Sequence, residues 1–362
     1  MDLREWTAGA WPAQGIGPRE GVRPGVRWPS HRDDSGRDGP TRSAAQSPDW
    51  RRAGHNLWVP ADVDPTDPDQ RVVEAAALLP GRGGVTGWAG LRWLGGSWFE
   101  GVDGRGNPLP VPVAVGSGHR RRPHPSLVVS QEVLTPDTVV RHEGLRVTEP
   151  LWSVGYEMRT ARTDEAAVVA FEMAAYDDLV SVDELADFVD SSLWQRWGVE
   201  RVRRVLPLLE ENSWSPMEPV MRLAWTLEAG FPRPLANCPV FDLGGRFIGT
   251  PDLLDPAAGV FGLYDGGLHL HGKARHADVV KDAAYRALGL EGVVMMAGDL
   301  ADRDPFALRL RDAYARAGRR PSEHRRWLGE PPPWWLSTAT VAERRALTVS
   351  QRSRYLTYRP AA

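Results

Sequence analysis

The chain has 362 residues, 42% of them apolar and 25% charged, and a formal net charge of −3, which suits two or three folded domains and excludes a wholly disordered or collagen-like chain. Its one cysteine, Cys238, excludes an intramolecular disulfide and a Cys-based zinc cluster. With no apolar run of about 18 residues and no signal-type N-terminus, the reading is a cytoplasmic protein with no membrane partner.

Residues 1–54 are rich in Gly, Pro, Arg, Ser and Asp without apolar periodicity, which predicts a disordered segment. Residues 55–208 read as a small α+β domain. RVVEAAALLP predicts a short helix and GGVTGWAGLRWLGG a second one, closed by Gly95 and Gly96. LPVPVAVGS, SLVVSQEVL and DTVVRHEGLRVTEP alternate as strands, the last folding back at Gly144. The intervening loop GHRRRPHP places Arg120, Arg121 and Arg122 side by side. A helix over 163–175 follows, and SVDELADFVD opens another with Ser181 as N-cap and Glu184 completing a capping box.

Residues 209–305 read in the order helix, hairpin, strand, helix, strand. In SPMEPVMRLAWTLEAG, Ser215 is the predicted N-cap, Pro216 the first helical residue, Glu218 the third, and Gly230 the terminator. PVFDLGGRFIGTPDLLDP predicts a hairpin through Gly244-Gly245, and AGVFGLYDGGLH a buried strand that stops at Gly266. ARHADVVKDAAYRALG is an amphipathic helix with Val280, Ala283, Ala284, Ala287 and Leu288 on one stripe, and LEGVVMMAG a further strand. The expected fold class is α+β, a mixed sheet flanked by helices.

Residues 306–362 form a predicted helix and tail with twelve arginines against Asp312, Glu323, Glu330 and Glu343. A basic tail on an acidic body has two readings: contact with a polyanion, or docking on the body's own acids. On the first reading Arg319, Arg320, Arg325 and Arg326 are candidate phosphate contacts, with Arg120 to Arg122 and Arg275. Trp334 and Trp335, ahead of a predicted helix in TVAERRALTVSQRSRYL, would dock the tail.

Phosphodiester hydrolysis near neutral pH needs charge neutralisation and a deprotonated water, both of which a magnesium ion held by carboxylates supplies. Asp252 and Asp265, on adjacent strands, and Glu218, from the helix behind, are the acids placed to converge. The same acids have a structural reading: Asp252 and Asp255 bound a turn, Asp265-Gly266-Gly267 is turn chemistry, and Glu218 suits a helix N-terminus.

SPMEPVMR, GTPDLLDP, GLYDGGLH and ARHADVVKD running into ALGLEGVVMMAGDL together resemble the PD-(D/E)XK restriction-endonuclease-like superfamily, in its very-short-patch-repair-type branch. The region from about Asp67 to Asp190, with the HRRRPHP loop and RHEGLRVTEP, resembles the C-terminal part of AbiEi-type antitoxins of type IV toxin–antitoxin systems, a region often fused to such a module in actinobacterial proteins. The resemblance implies DNA as partner, a cognate toxin or a second copy as further partners, and Mg²⁺ held by Asp252, Asp265 and Glu218. Lys281 would polarise the water, and His269 matches the branch's histidine after the Asp-Gly turn. The branch reads Gly-Glu-Tyr-Asp-Gly where this chain has Gly262-Leu263-Tyr264-Asp265-Gly266, so one ligand is lost. That departure sets a regulator that keeps the nuclease fold without hydrolysis beside the Mg²⁺-dependent endonuclease. The winged helix-turn-helix that usually opens AbiEi-type proteins has no counterpart in the pattern of residues 1–54.

Overall fold

The computed structural model describes residues 23–79, 83–117, 124–266, 282–321 and 324–358. The fold is α+β with mixed sheets flanked by helices. It divides into two units, 1–160 and 161–362. The helices after residue 160 were expected to close the first domain. They belong instead to the second unit, because Glu172 pairs there with Arg222, and Glu165 with Arg303.

In the first unit, strands β1 (Trp50–Gly54) and β2 (Leu57–Pro60) form an antiparallel hairpin, and Ser30 bridges Trp58. Residues 23–54 are therefore structured, contrary to the expected disorder; residues 1–22 lie outside the described residues. Polar contacts substitute for the missing apolar pattern: the Arg23 guanidinium lies 4.4 Å from the Trp93 ring centroid and pairs with Asp69 and Glu143. Helix α1 (Pro68–Ala77) is N-capped by Asp67. Next come β3 (Gly84–Val85), α2 (Gly87–Trp93), β4 (Val111–Ala114), β5 (Leu127–Ser130), β6 (Val139–His142), β7 (Leu145–Thr148) and α3 (Pro150–Thr160). The sheet order is β5-β4-β3-β7-β6. The β6–β7 turn uses Glu143 and Gly144 at φ 42° and 76°, the left-handed pair that a two-residue hairpin of matching twist demands. Arg120, Arg121 and Arg122 lie outside the described residues.

The second unit opens with α4 (Asp164–Tyr176), capped by Thr163, then α5 (Val182–Phe188) with the expected Ser181–Glu184 capping box, and α6 (Val199–Val205). Helix α7 (Met217–Leu223) continues into a wider turn, Ala224–Glu228, before Gly230 at φ 75°. Four strands order as β13-β12-β11-β8, with β8 (Leu235–Ala236), β11 (Leu253–Asp255), β12 (Val260–Asp265) and β13 (Glu291–Met296). The β12–β13 pair is parallel and the others antiparallel. The expected hairpin through Gly245 forms apart from them, as β9 (Val240–Phe241) and β10 (Phe247–Gly249).

The sheet separates two apolar clusters, as strand alternation requires. Leu253 and Val260 join Met221 and Trp225 of the α7 segment and Phe306 and Leu310 of a long helix, Asp304–Gly318. Leu254, Phe261 and Leu263 face the other way, onto Val240, Tyr285 and Leu290. Tyr285 belongs to helical residues 282–287, here α8, so the long helix is α9.

The tail folds onto its own unit. Trp335 stacks on Phe247 with centroids 5.5 Å apart, and Trp334 meets Phe241 edge-on, the docking role read for the pair. What reads as one helix beyond them is two, α10 (Val341–Arg345) and α11 (Val349–Tyr355), because Thr340 and Thr348 each start a capping box. Six of the twelve arginines are paired with acids: Arg309 with Asp299, Arg316 and Arg320 with Glu291, Arg344 and Arg352 with Asp178, Arg345 with Glu184. Of the two readings of the tail, the ion pairs favour docking on the body. No helix among the described residues is long and apolar enough to cross a membrane.

Candidate functional site

Asp252 stands immediately before β11, and the pairing of Leu253 with Gly262 sets it beside Leu263 and Tyr264 of β12. Its Oδ2 accepts the Tyr264 N–H at 2.7 Å, and its carbonyl accepts the Asn237 N–H at 2.9 Å. Glu218, in the first turn of α7, is 5% exposed. Its Oε2 accepts the Trp214 N–H at 2.7 Å and the side-chain amide of Asn237. Burial, and after it the charge of Asp252, push the Glu218 carboxyl up to about 8. Asp252 is thus near enough for its charge to help keep Glu218 protonated.

Asp265 ends β12, exposed, opposite Met296 of β13. Leu263, on the strand face two residues earlier, packs into the cluster of Phe261 and Tyr285. The position facing Asp252 across the strands therefore carries an apolar side chain. Among the described residues no group of three or more His, Cys, Asp or Glu is arranged to hold a metal ion. Magnesium asks for several oxygen ligands in near-octahedral array. Here Asp252 accepts a backbone N–H, and Glu218 accepts both a backbone N–H and a side-chain amide. His269, Arg275 and Lys281 lie outside the described residues.

Asp255 follows its structural reading: Oδ1 accepts the N–H groups of Ala257 and Ala258, both at 3.0 Å, and Oδ2 the Tyr314 hydroxyl at 2.6 Å. Cys238 is half-buried, and burial pushes its thiol up to about 11, which leaves it inert as a nucleophile. Arg320, expected at a phosphate, is paired with Glu291. Arg319, Arg325 and Arg326 are exposed; Arg325 donates to the Ala257 carbonyl at 2.9 Å.

Two residues at this site escape a reading of motifs. Asn237 adopts φ 45°, and its amide bridges Glu218 to the Asn212 carbonyl, at 2.7 Å from the latter. Asparagine is one of the few side chains that tolerate that backbone region; the Asn-Cys-Pro turn was its only sequence signal. Tyr285 is wholly buried, and its hydroxyl has no hydrogen-bond partner among the described residues. A Cβ on Gly249 would lie 2.4 Å from that hydroxyl, so β10 needs glycine there. Burial, and then the charge of Asp252, raise the Tyr285 phenol and hold its proton on.

Comparison with protein-family models, curated proteins and solved structures returned no match.

Proposed function

We propose that the chain is a cytoplasmic, DNA-binding, antitoxin-like regulator whose second unit keeps a restriction-endonuclease-like arrangement without its hydrolytic chemistry. The observation that carries this reading is Leu263, packed in an apolar cluster where a second carboxylate would face Asp252. Burial and the charge of Asp252 then keep Glu218 protonated near neutral pH, which removes it as a general base. The resemblance of the two regions to AbiEi-type antitoxins and to the nuclease superfamily supports DNA as the partner. Exposed Arg319 and Arg326, with the Arg120 to Arg122 loop, are the cations proposed to meet phosphate.

The second reading, a Mg²⁺-dependent endonuclease, draws on one observation: an acid at the start of a strand lies close enough to an acid on a helix for its charge to raise that carboxyl. One experiment separates the two. The purified chain is incubated with supercoiled plasmid in Mg²⁺ or Mn²⁺ and run beside a gel-shift series. Retarded but intact DNA is the expected outcome. Nicking that EDTA stops and Asp252→Ala abolishes would replace the first reading with the second, and DNA that is neither retarded nor cut would end both.

A further inference from the structure

An opening of about 660 Å³ in the second unit lies between the 235–250 segment and the C-terminal segment. Its size falls within the range of about 300–1,000 Å³ usual for small-molecule sites. Five of its lining residues are aromatic: Trp214, Phe247, Trp335, Tyr355 and Tyr358. Trp214 and Tyr358 stack with centroids 3.8 Å apart and planes 8° from parallel, and Phe247 and Trp335 stack at 5.5 Å and 15°. Tyr355 and Arg354 complete the rim, with the Arg354 guanidinium 5.3 Å from the Tyr355 ring centroid. Arg354 differs from its neighbours. Arg344, Arg345 and Arg352 are all tied to acids, whereas exposed Arg354 has no ion pair among the described residues.

Leu235 and Ile248 are the branched aliphatic residues of the lining, against five aromatic ones, and an acyl chain would need no cation. Flat π surfaces suit a planar heterocycle of any base identity, and an unpaired guanidinium at the rim suits the phosphate joined to it. Phe247, a large aromatic group 44% exposed at the mouth, offers a face that the fold itself leaves partly uncovered. We propose that this cleft takes a single nucleobase between the Trp214–Tyr358 and Phe247–Trp335 pairs, with its phosphate on Arg354. The base would come from an unpaired stretch of DNA or from a free nucleotide. The inference deepens the DNA reading, and free nucleotides test it separately.

The test titrates the full chain with adenosine and thymidine monophosphates by calorimetry, and with a labelled single-stranded oligonucleotide, intact or carrying abasic sites, by anisotropy. The expected result is binding that Trp335→Ala weakens by at least about fivefold and Trp335→Phe restores. Arg354→Ala, an exposed change with little bearing on folding, should weaken monophosphates more than the matching nucleosides. An effect of abasic sites marks an unpaired strand as the source; binding of monophosphates alone marks a free nucleotide. No binding of either, or binding indifferent to Trp335→Ala and Arg354→Ala, overturns the cleft. If duplex DNA is still retarded in that case, the regulator reading stands without it. Monophosphate binding with no retardation of DNA would keep the cleft and remove the regulator.

Discussion

Two buried glutamates on packed helices of the second unit show how differently one residue type can be held. Glu172 of α4, wholly buried, accepts from the Arg222 guanidinium, from the Ser213 hydroxyl at 2.6 Å and from the Glu210 N–H at 3.0 Å. Glu218 of α7 accepts only neutral donors and faces a second carboxylate. Arg222 lies four residues after Glu218, the helical spacing that favours a pair between them, yet it turns to Glu172 instead. The first glutamate joins two helices. Burial raises both carboxyls, Glu172 to about 7 and Glu218 to about 8, and what separates them is the Arg222 guanidinium, which Glu172 has and Glu218 lacks.

The contrast breaks most easily at the joint. Glu172→Gln leaves the Arg222 charge buried without a counter-ion and should cost about 3–5 kcal/mol, read by urea denaturation above neutral pH. A cost below about 1 kcal/mol would make the two glutamates alike. A smaller effect tests the tail. Arg344, 1% exposed, donates to Asp178, to the Ala175 carbonyl at 2.7 Å and to the Thr338 carbonyl at 3.0 Å. Arg352 stays on Asp178 when Arg344 is lost, so Arg344→Ala should cost about 2–3 kcal/mol. Because this arginine is already paired, the salt dependence of DNA affinity should not change; a slope lower by about 0.9 would return Arg344 to the phosphate contacts.

The smallest effect is the most informative about Glu218. Glu218→Gln keeps an oxygen for the Trp214 and Asn237 donors and should leave stability at pH 5 within about 1 kcal/mol of wild type. Its signature is the pH profile. The folded chain holds the Glu218 proton up to about 8, whereas the free carboxyl releases it near 4.5. Between those values the folded state binds more protons than the unfolded one, so this group's contribution to stability falls as pH rises and levels off above about 8. The glutamine variant should lack that decline, and parallel profiles would remove the proton from Glu218.

Much of the fold was legible because its signals are local. The Ser181–Glu184 capping box, the Glu143-Gly144 and Gly245 turns, and the strands over 260–265 and 291–296 depend on neighbours a few residues apart. Order in residues 23–54 rests on Arg23 reaching Asp69 and Glu143, and the tail's docking rests on Arg344 reaching Asp178; such long-range pairs leave no period to read. At the site, the strand motif singled out Leu263, and the register sets it beside Asp252. That Asp265 would end exposed while Asn237 entered the hydrogen bonding was not visible, because both follow from where strands stop and a loop turns left-handed.

The direct measurement is the protonation of Glu218 itself, by infrared difference spectroscopy of wild type against Glu218→Gln near neutral pH, repeated across a Mg²⁺ titration. The expected result is a protonated carboxyl band, absent from the variant, that persists as Mg²⁺ is raised to millimolar levels. Loss of that band on addition of Mg²⁺, with a carboxylate band in its place, would contradict the protonated Glu218 and put a metal beside Glu218 and Asp252.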